Sequence, residues 1–293
     1  MISHPRGLSI TPYNRAGLAA VSDLADAGLQ GILGVLDQEQ AAFIDRESDF
    51  RSEEYRWPRD PLHTWSRIWE YPYVYYHLLN YMATFPQGSG PTVADIGSGV
   101  TFFPFALARL GYDVVCTDVD SICEKDLCRA AETVPHSPGG VTFRLIHDSS
   151  LPFADSACDA AYCISVLEHV ADIGRTVGEI ARILKPGGLC LITCDINMQP
   201  ADSRQLDCPQ YRQLTAAIDR SFARLWPETT IHPVDLLTTK NSPYPLKRSS
   251  KVSLARRFLI QHLLRPLLGR KPRRIRVADP YLAVYGLVLR RKG

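Results

Sequence analysis

Between Pro91 and Asn197 short apolar runs alternate with segments of helical pattern, and the first run ends in Asp95-Ile96-Gly97-Ser98-Gly99. Parallel strands joined by crossover helices require that alternation. Two glycines straight after the first run let the backbone approach a ligand with no Cβ in the way. The pattern predicts strands at 92–96, 114–117, 141–146, 158–164 and 189–194. Helices are predicted at 102–110, 121–132 and 174–184, the last stopped by Lys185-Pro186-Gly187-Gly188. Such a chain folds as a doubly wound α/β sheet.

The flanks read differently. Residues 1–90 lack strand patterning and read as helices punctuated by Pro12, Pro58, Pro61 and Pro72, an N-terminal helical cap or lid. Trp57, Trp65, Trp69, Tyr71, Tyr73, Tyr75, Tyr76 and Tyr81 crowd one stretch of it, a cluster suited to packing the cap on the core or to covering a ligand. Beyond Asn197, 211–226 reads as helix, 233–246 as irregular, 252–268 as a basic amphipathic helix and 281–289 as a closing strand. The expected division is a cap at 1–90, a ligand-binding core at 91–198, and a substrate-region insert with closing strands at 199–293.

In open α/β sheets ligands bind beyond the carboxyl ends of the strands, where strand order reverses. The predicted ends carry the glycine loop, then Asp118 with Val119, then Asp148-Ser149, then Ile164-Ser165 through His169, then Asp195. A carboxylate at 118 can accept both hydroxyls of a ribose. One at 148 can accept from an exocyclic amine while nearby backbone reads a ring nitrogen. A dinucleotide fingerprint would need glycine where Phe102 stands, and no Gly-Lys-Ser or Gly-Lys-Thr follows the first strand, so phosphate-binding readings fall behind.

The ordered text is more specific than any single signal. It comprises Val93-Ala94-Asp95-Ile96-Gly97-Ser98-Gly99, Val114-Val115-Cys116-Thr117-Asp118, His147-Asp148-Ser149-Ser150-Leu151-Pro152-Phe153, Val166-Leu167-Glu168-His169-Val170 and Ile183-Leu184-Lys185-Pro186-Gly187-Gly188. Over about 91–197 it resembles the class I S-adenosylmethionine-dependent methyltransferases, particularly the branch acting on small molecules. The resemblance implies a Rossmann-like seven-stranded sheet whose last strand is antiparallel. It also implies S-adenosylmethionine as cofactor, leaving as S-adenosylhomocysteine. On the matching positions Asp95, Gly97, Ser98 and Gly99 would hold the methionyl part, Asp118 the ribose, and Asp148 with Ser149 the adenine, with Val119 also among the cofactor-binding residues. Ile164 and Ser165 would lie beside the sulfonium. Thr101 stands where the family often has a third glycine.

Methyl transfer from a sulfonium is an in-line displacement on an activated donor, so alignment supplies much of the acceleration. A hydroxyl or protonated amine acceptor would also gain from a base within hydrogen-bond reach. His169 and Asp195 are the candidates, and Glu168 reads as structural or cofactor-facing. Oxygen, nitrogen and carbon nucleophiles on a metabolite all remain open. So do transfer of another alkyl group and a non-catalytic scaffold of the same fold.

Composition narrows partners rather than chemistry. The eight cysteines are scattered, with no Cys-x-x-Cys pair, so reduced core thiols and no metal site are expected. No apolar run is long enough to span a bilayer and no secretory leader is evident, so a cytoplasmic location is expected. The near-neutral net charge of +2 hides an asymmetry, because 247–276 holds eleven Lys or Arg and no acid. That segment suits an anionic small-molecule acceptor or peripheral membrane contact. Nucleic acid is the least favoured partner, as no RNA-binding module is recognisable.

Overall fold

The computed structural model describes residues 11–55, 58–148, 150–198, 208–244 and 281–293. In chain order the longer elements are β1 (Gly17–Leu18), α1 (Ala27–Ile44), α2 (Glu47–Phe50), α3 (Arg67–Met82), β2 (Thr92–Ile96), α4 (Phe103–Arg109), β3 (Asp113–Asp118) and α5 (Ser121–Thr133). They continue with β4 (Gly140–Leu145), β5 (Cys158–Ile164), α6 (Ile173–Ile183), β6 (Leu184–Asn197), α7 (Cys208–Ser221), β7 (Phe222–Arg224) and β8 (Leu282–Arg291).

The strands form one eight-stranded sheet in the order β1-β8-β6-β5-β2-β3-β4, with β7 also on β8. The pairs β2 with β3, β2 with β5, β3 with β4 and β5 with β6 are parallel, whereas β8 runs antiparallel to β6. Chain order reverses at β2, which lies between β3 and β5. That is the switch point beyond which open α/β sheets hold ligands. The central strands are buried on both faces and therefore read as continuous apolar runs. Thr92–Ile96 and Cys158–Ile164 consequently fall where the sequence predicts them.

Each sheet face has its own apolar core. Val93, Val114, Tyr162, Leu189 and Leu191 meet α1, α3, α4 and α5 on one side. Ala94, Ala161, Cys163, Ile192 and Cys194 meet α6 and α7 on the other. Helix termini follow their caps: Asp26, Asp120 and Asp172 each accept a backbone N–H in the first turn of α1, α5 and α6. The buried cysteines are free thiols packed as small hydrophobes.

Four sequence expectations are corrected. The 1–90 segment is not wholly helical, since Gly17–Leu18 adds an edge strand against Gly286 and Tyr285. The sheet therefore gains an eighth strand beyond the seven expected. The helix expected over 211–226 stops at Ser221, and Phe222–Arg224 pairs with β8. Lys185-Pro186-Gly187-Gly188 does end α6, but it does not leave the sheet. Leu184 pairs with Cys158 and Leu189 with Ala160, so the four residues bulge within β6. The helix expected over 252–268 lies outside the described residues.

Candidate active site at the carboxyl ends of the strands

The loop after β2 turns sharply enough to demand glycine. Gly97 and Gly99 have φ of 73° and 53°, and a Cβ on Gly97 would lie 2.6 Å from Val166 Cγ2. Gly97 and Ser98 both donate their N–H to Thr117 O, at 2.8 and 2.9 Å, tying the loop to the end of β3. Asp95 and Ser98 are buried, and the Ser98 hydroxyl has no partner. Burial pushes the Asp95 carboxyl up to about 8, against the pull of the neighbouring Tyr162 hydroxyl and with a further push from Asp118.

Asp118 braces the same loop. Its Oδ2 accepts from Gly99 N at 3.0 Å and its Oδ1 from Asp120 N at 3.1 Å. Beside it Val119 is 76% exposed, a bare apolar platform at the mouth of the site. Asp148 has a positive φ of 53° and is exposed, with its carbonyl accepting from Arg175 of α6. Ser149 lies outside the described residues. Tyr55, from the N-terminal region, reaches over the loop: its hydroxyl accepts from Val100 N at 2.7 Å and lies 3.1 Å from where a Cβ on Gly99 would stand.

The end of β5 presents a charged network. Ile164 is half-buried, and Ser165 turns out of the strand at φ 49° while its N–H donates to Thr193 O of β6. The Ser165 hydroxyl donates to Glu70 Oε1 at 2.8 Å and accepts from Arg67, which also pairs with Glu70. Glu168 Oε1 accepts from Asp195 N at 3.2 Å. Glu70, Glu168 and Asp195 are 0%, 2% and 8% exposed. Three carboxylates thus share one guanidinium.

Their titration follows from burial. It raises the Glu168 carboxyl to about 8, with Glu70 adding to the effect and backbone N–H groups and Arg67 opposing it. Asp195 is also pushed well above the usual carboxylate range, first by burial, then by Glu168 and Glu70. Burial alone would disfavour the Arg67 cation, but Glu70, Tyr71 and Asp195 hold it protonated. His169 is exposed on the turn after β5, and burial of part of its ring and the nearby Arg67 lower its pKa, leaving a neutral imidazole at pH 7.

The sequence-predicted residues at 95–99, 118–119, 148, 164–165, 169 and 195 all fall at this edge of the sheet, at the ends of β2 to β6. Arg67, Glu70 and Tyr55 were not anticipated. The available signal was an Arg and a Glu three apart inside an aromatic helix, where nothing apolar calls for charge. A separate cavity of about 550 Å³ opens beyond β6, between Asn197, Tyr211, Glu228 and Tyr285. No group of three His, Cys, Asp or Glu among the described residues is arranged to hold a metal ion. No described helix is long and apolar enough to cross a membrane.

Residues 94–192 match the methyltransferase domain family. An uncharacterized methyltransferase of Mycobacterium sp. (strain JLS) is 31% identical over 138 residues, 47% of this chain and 52% of the relative. Another from Mycolicibacterium vanbaalenii is 29% identical over 129 residues, 44% and 49% of the two chains. This chain thus spans about half the length of the curated relatives it matches. Among solved structures, the [4+2]-cyclase SpnF superposes with a TM-score of 0.50 at 17% identity, over 95% of this chain and 99% of that one, a likeness of fold. Over its central stretch the chain is thus similar to methyltransferase domains.

Proposed function

We propose that the protein is an S-adenosylmethionine-dependent methyltransferase acting on an oxygen, nitrogen or carbon nucleophile of a small-molecule metabolite. The observation that carries this is the glycine loop after β2, a cradle closed to any Cβ at 97 and braced by the Asp118 carboxylate. The match of 94–192 to the methyltransferase domain supports it. S-adenosylmethionine, when bound, supplies an activated methyl group on a sulfonium. Asp95, Gly97, Ser98 and Gly99 would hold its methionyl part, with the unpartnered Ser98 hydroxyl free to engage it. Asp118 would take the ribose, the exposed Val119 would support the adenine, and Asp148 with Ser149 would read its edge. Ile164 and Ser165 would flank the methyl.

His169 and Asp195 are the proposed bases. His169 is neutral near pH 7 and so able to take a proton, and Asp195 faces the network at the end of β6. The 1–90 region serves as a lid, with Tyr55, Arg67 and Glu70 reaching the strand ends from it. The readings of an anionic acceptor and of membrane contact rest on 247–276, outside the described residues. They remain proposals, as does a cytoplasmic location. Calorimetric titration with S-adenosylmethionine and S-adenosylhomocysteine tests the function; binding of both is expected, and binding of neither overturns it. Full turnover by a His169→Ala protein that binds cofactor would assign the base elsewhere.

A further inference from the structure

The network at the ends of β5 and β6 is short of positive charge. Arg67 is committed to Glu70 and the Ser165 hydroxyl. Glu168 Oε2 and Asp195 Oδ1, both buried, have no hydrogen-bond partner. Two unpaired carboxylate oxygens in a desolvated setting are costly unless protons or a cation neutralise them. The groups facing them are Arg67 and Glu70 from α3 and Cys163 and Cys194 from the adjoining strands, while His169, on the turn after β5, feels Arg67. Among these only Arg67 is a cation. Because the carboxylates are not arranged for a metal ion, an organic cation with N–H donors fits them best.

We propose, resting on the methyltransferase reading above, that the acceptor is an amine, bound as its ammonium by Glu168 Oε2 and Asp195 Oδ1. The ammonium supplies the N–H donors that these two oxygens lack. One N–H proton then passes to the Asp195 carboxylate, and the freed nitrogen lone pair forms the new N–CH₃ bond. The methyl–sulfur bond breaks in the same step, and its electron pair leaves on sulfur as a neutral thioether. Asp195 afterwards returns its proton to water. Glu70 and Arg67 act as positioning residues, fixing Ser165 and the charge around the nitrogen.

The test has two arms. In the first, an extract of small metabolites is incubated with the full chain and methyl-labelled donor, before and after acetylation of its amines. Labelled N-methyl products that fall about tenfold or more on acetylation are expected; label on oxygen or carbon, or label indifferent to acetylation, overturns the proposal. In the second, thermal unfolding of the S-adenosylhomocysteine complex is followed in methylammonium chloride and in tetramethylammonium chloride, which has the same charge and no N–H. Selective stabilisation by methylammonium, absent in Glu168→Gln/Asp195→Asn, is expected, and equal responses of the wild type to both salts overturn it. Should the double variant instead lose about tenfold in S-adenosylhomocysteine affinity, the carboxylates serve the donor's own ammonium and the proposal fails. A protein that binds no donor at all would fail the methyltransferase reading itself.

Discussion

Gly286 of β8 lies directly against Trp69 of α3: a Cβ built there would stand 2.7 Å from the indole Cη2, with Tyr73 Cε1 only 3.1 Å away. Both rings are buried and stacked on each other, with centroids 4.4 Å apart, so neither can swing aside. This contact seats α3 on the sheet opposite Thr193 of β6, since Thr193 and Gly286 are paired. Gly286→Val should therefore overpack the interface and lower stability by about 1–3 kcal/mol. It should also weaken donor binding, because α3 carries Arg67 and Glu70 to the strand ends. Urea unfolding and calorimetry check the two effects; an unshifted midpoint would refute the packing argument.

Gly97 carries two separable constraints, a positive φ of 73° and a contact of 2.6 Å with Val166 Cγ2 for any added Cβ. Gly97→Ala is expected to lose both loop stability and donor affinity, at a cost of about 1–3 kcal/mol. Adding Val166→Ala should recover the steric share and leave the backbone share, so a double-mutant cycle yields a favourable coupling. Zero coupling would mean that the loop moves away from Val166 instead.

Much of the site was legible because its parts sit at strand ends, and buried parallel strands announce themselves as apolar runs. Asp95, Asp118 and Asp195 each close such a run, and the doubly wound pattern alone brings them to one edge. The short strands were not legible, for a physical reason. Gly17–Leu18 and Phe222–Arg224 have no strand character of their own and pair only because β8 offers a free edge. Lys185 to Gly188 read as a stop because a bulge needs the same residues as a turn, and Gly187 does take a positive φ of 78°. Glu70 was missed because its role is made by Ser165, ninety-five positions away, which no local pattern reports.

Stability should fall as pH rises from 7 to about 8.5. Asp95 and Glu168 titrate near 8 when folded, against about 4 in an unfolded chain. In that window the folded state holds protons that the unfolded state has released, so the stability these groups contribute is complete below pH 4 and is lost as pH passes through 8. Buried His77, whose pKa is lowered to about 3 by desolvation, acts in the opposite sense only below about pH 6.5, where unfolded histidine gains its proton. Each carboxyl can supply a slope of up to about 1.4 kcal/mol per pH unit. Asp95→Asn should flatten the decline measured by denaturant unfolding at pH 7, 7.5, 8 and 8.5, and an unchanged slope would exclude Asp95 as its source.

Arg67 is the sole cation within reach of Glu70, Glu168 and Asp195 among the described residues, and Glu70 is fully buried. Removing one member of a buried pair costs more than removing both, because the survivor keeps its desolvation penalty without its partner. Arg67→Met should accordingly destabilise the fold by about 3–5 kcal/mol. Combining it with Glu70→Gln should restore part of that loss, since the neutral amide still offers Ser165 an oxygen to accept its hydroxyl proton and leaves no unpaired charge on α3. The comparison is made by unfolding midpoints of the wild type, both single variants and the double variant. A double variant less stable than Arg67→Met would show that Arg67 supports the fold by its packing against Tyr71, over whose ring its guanidinium lies at 5.9 Å, rather than by neutralising Glu70.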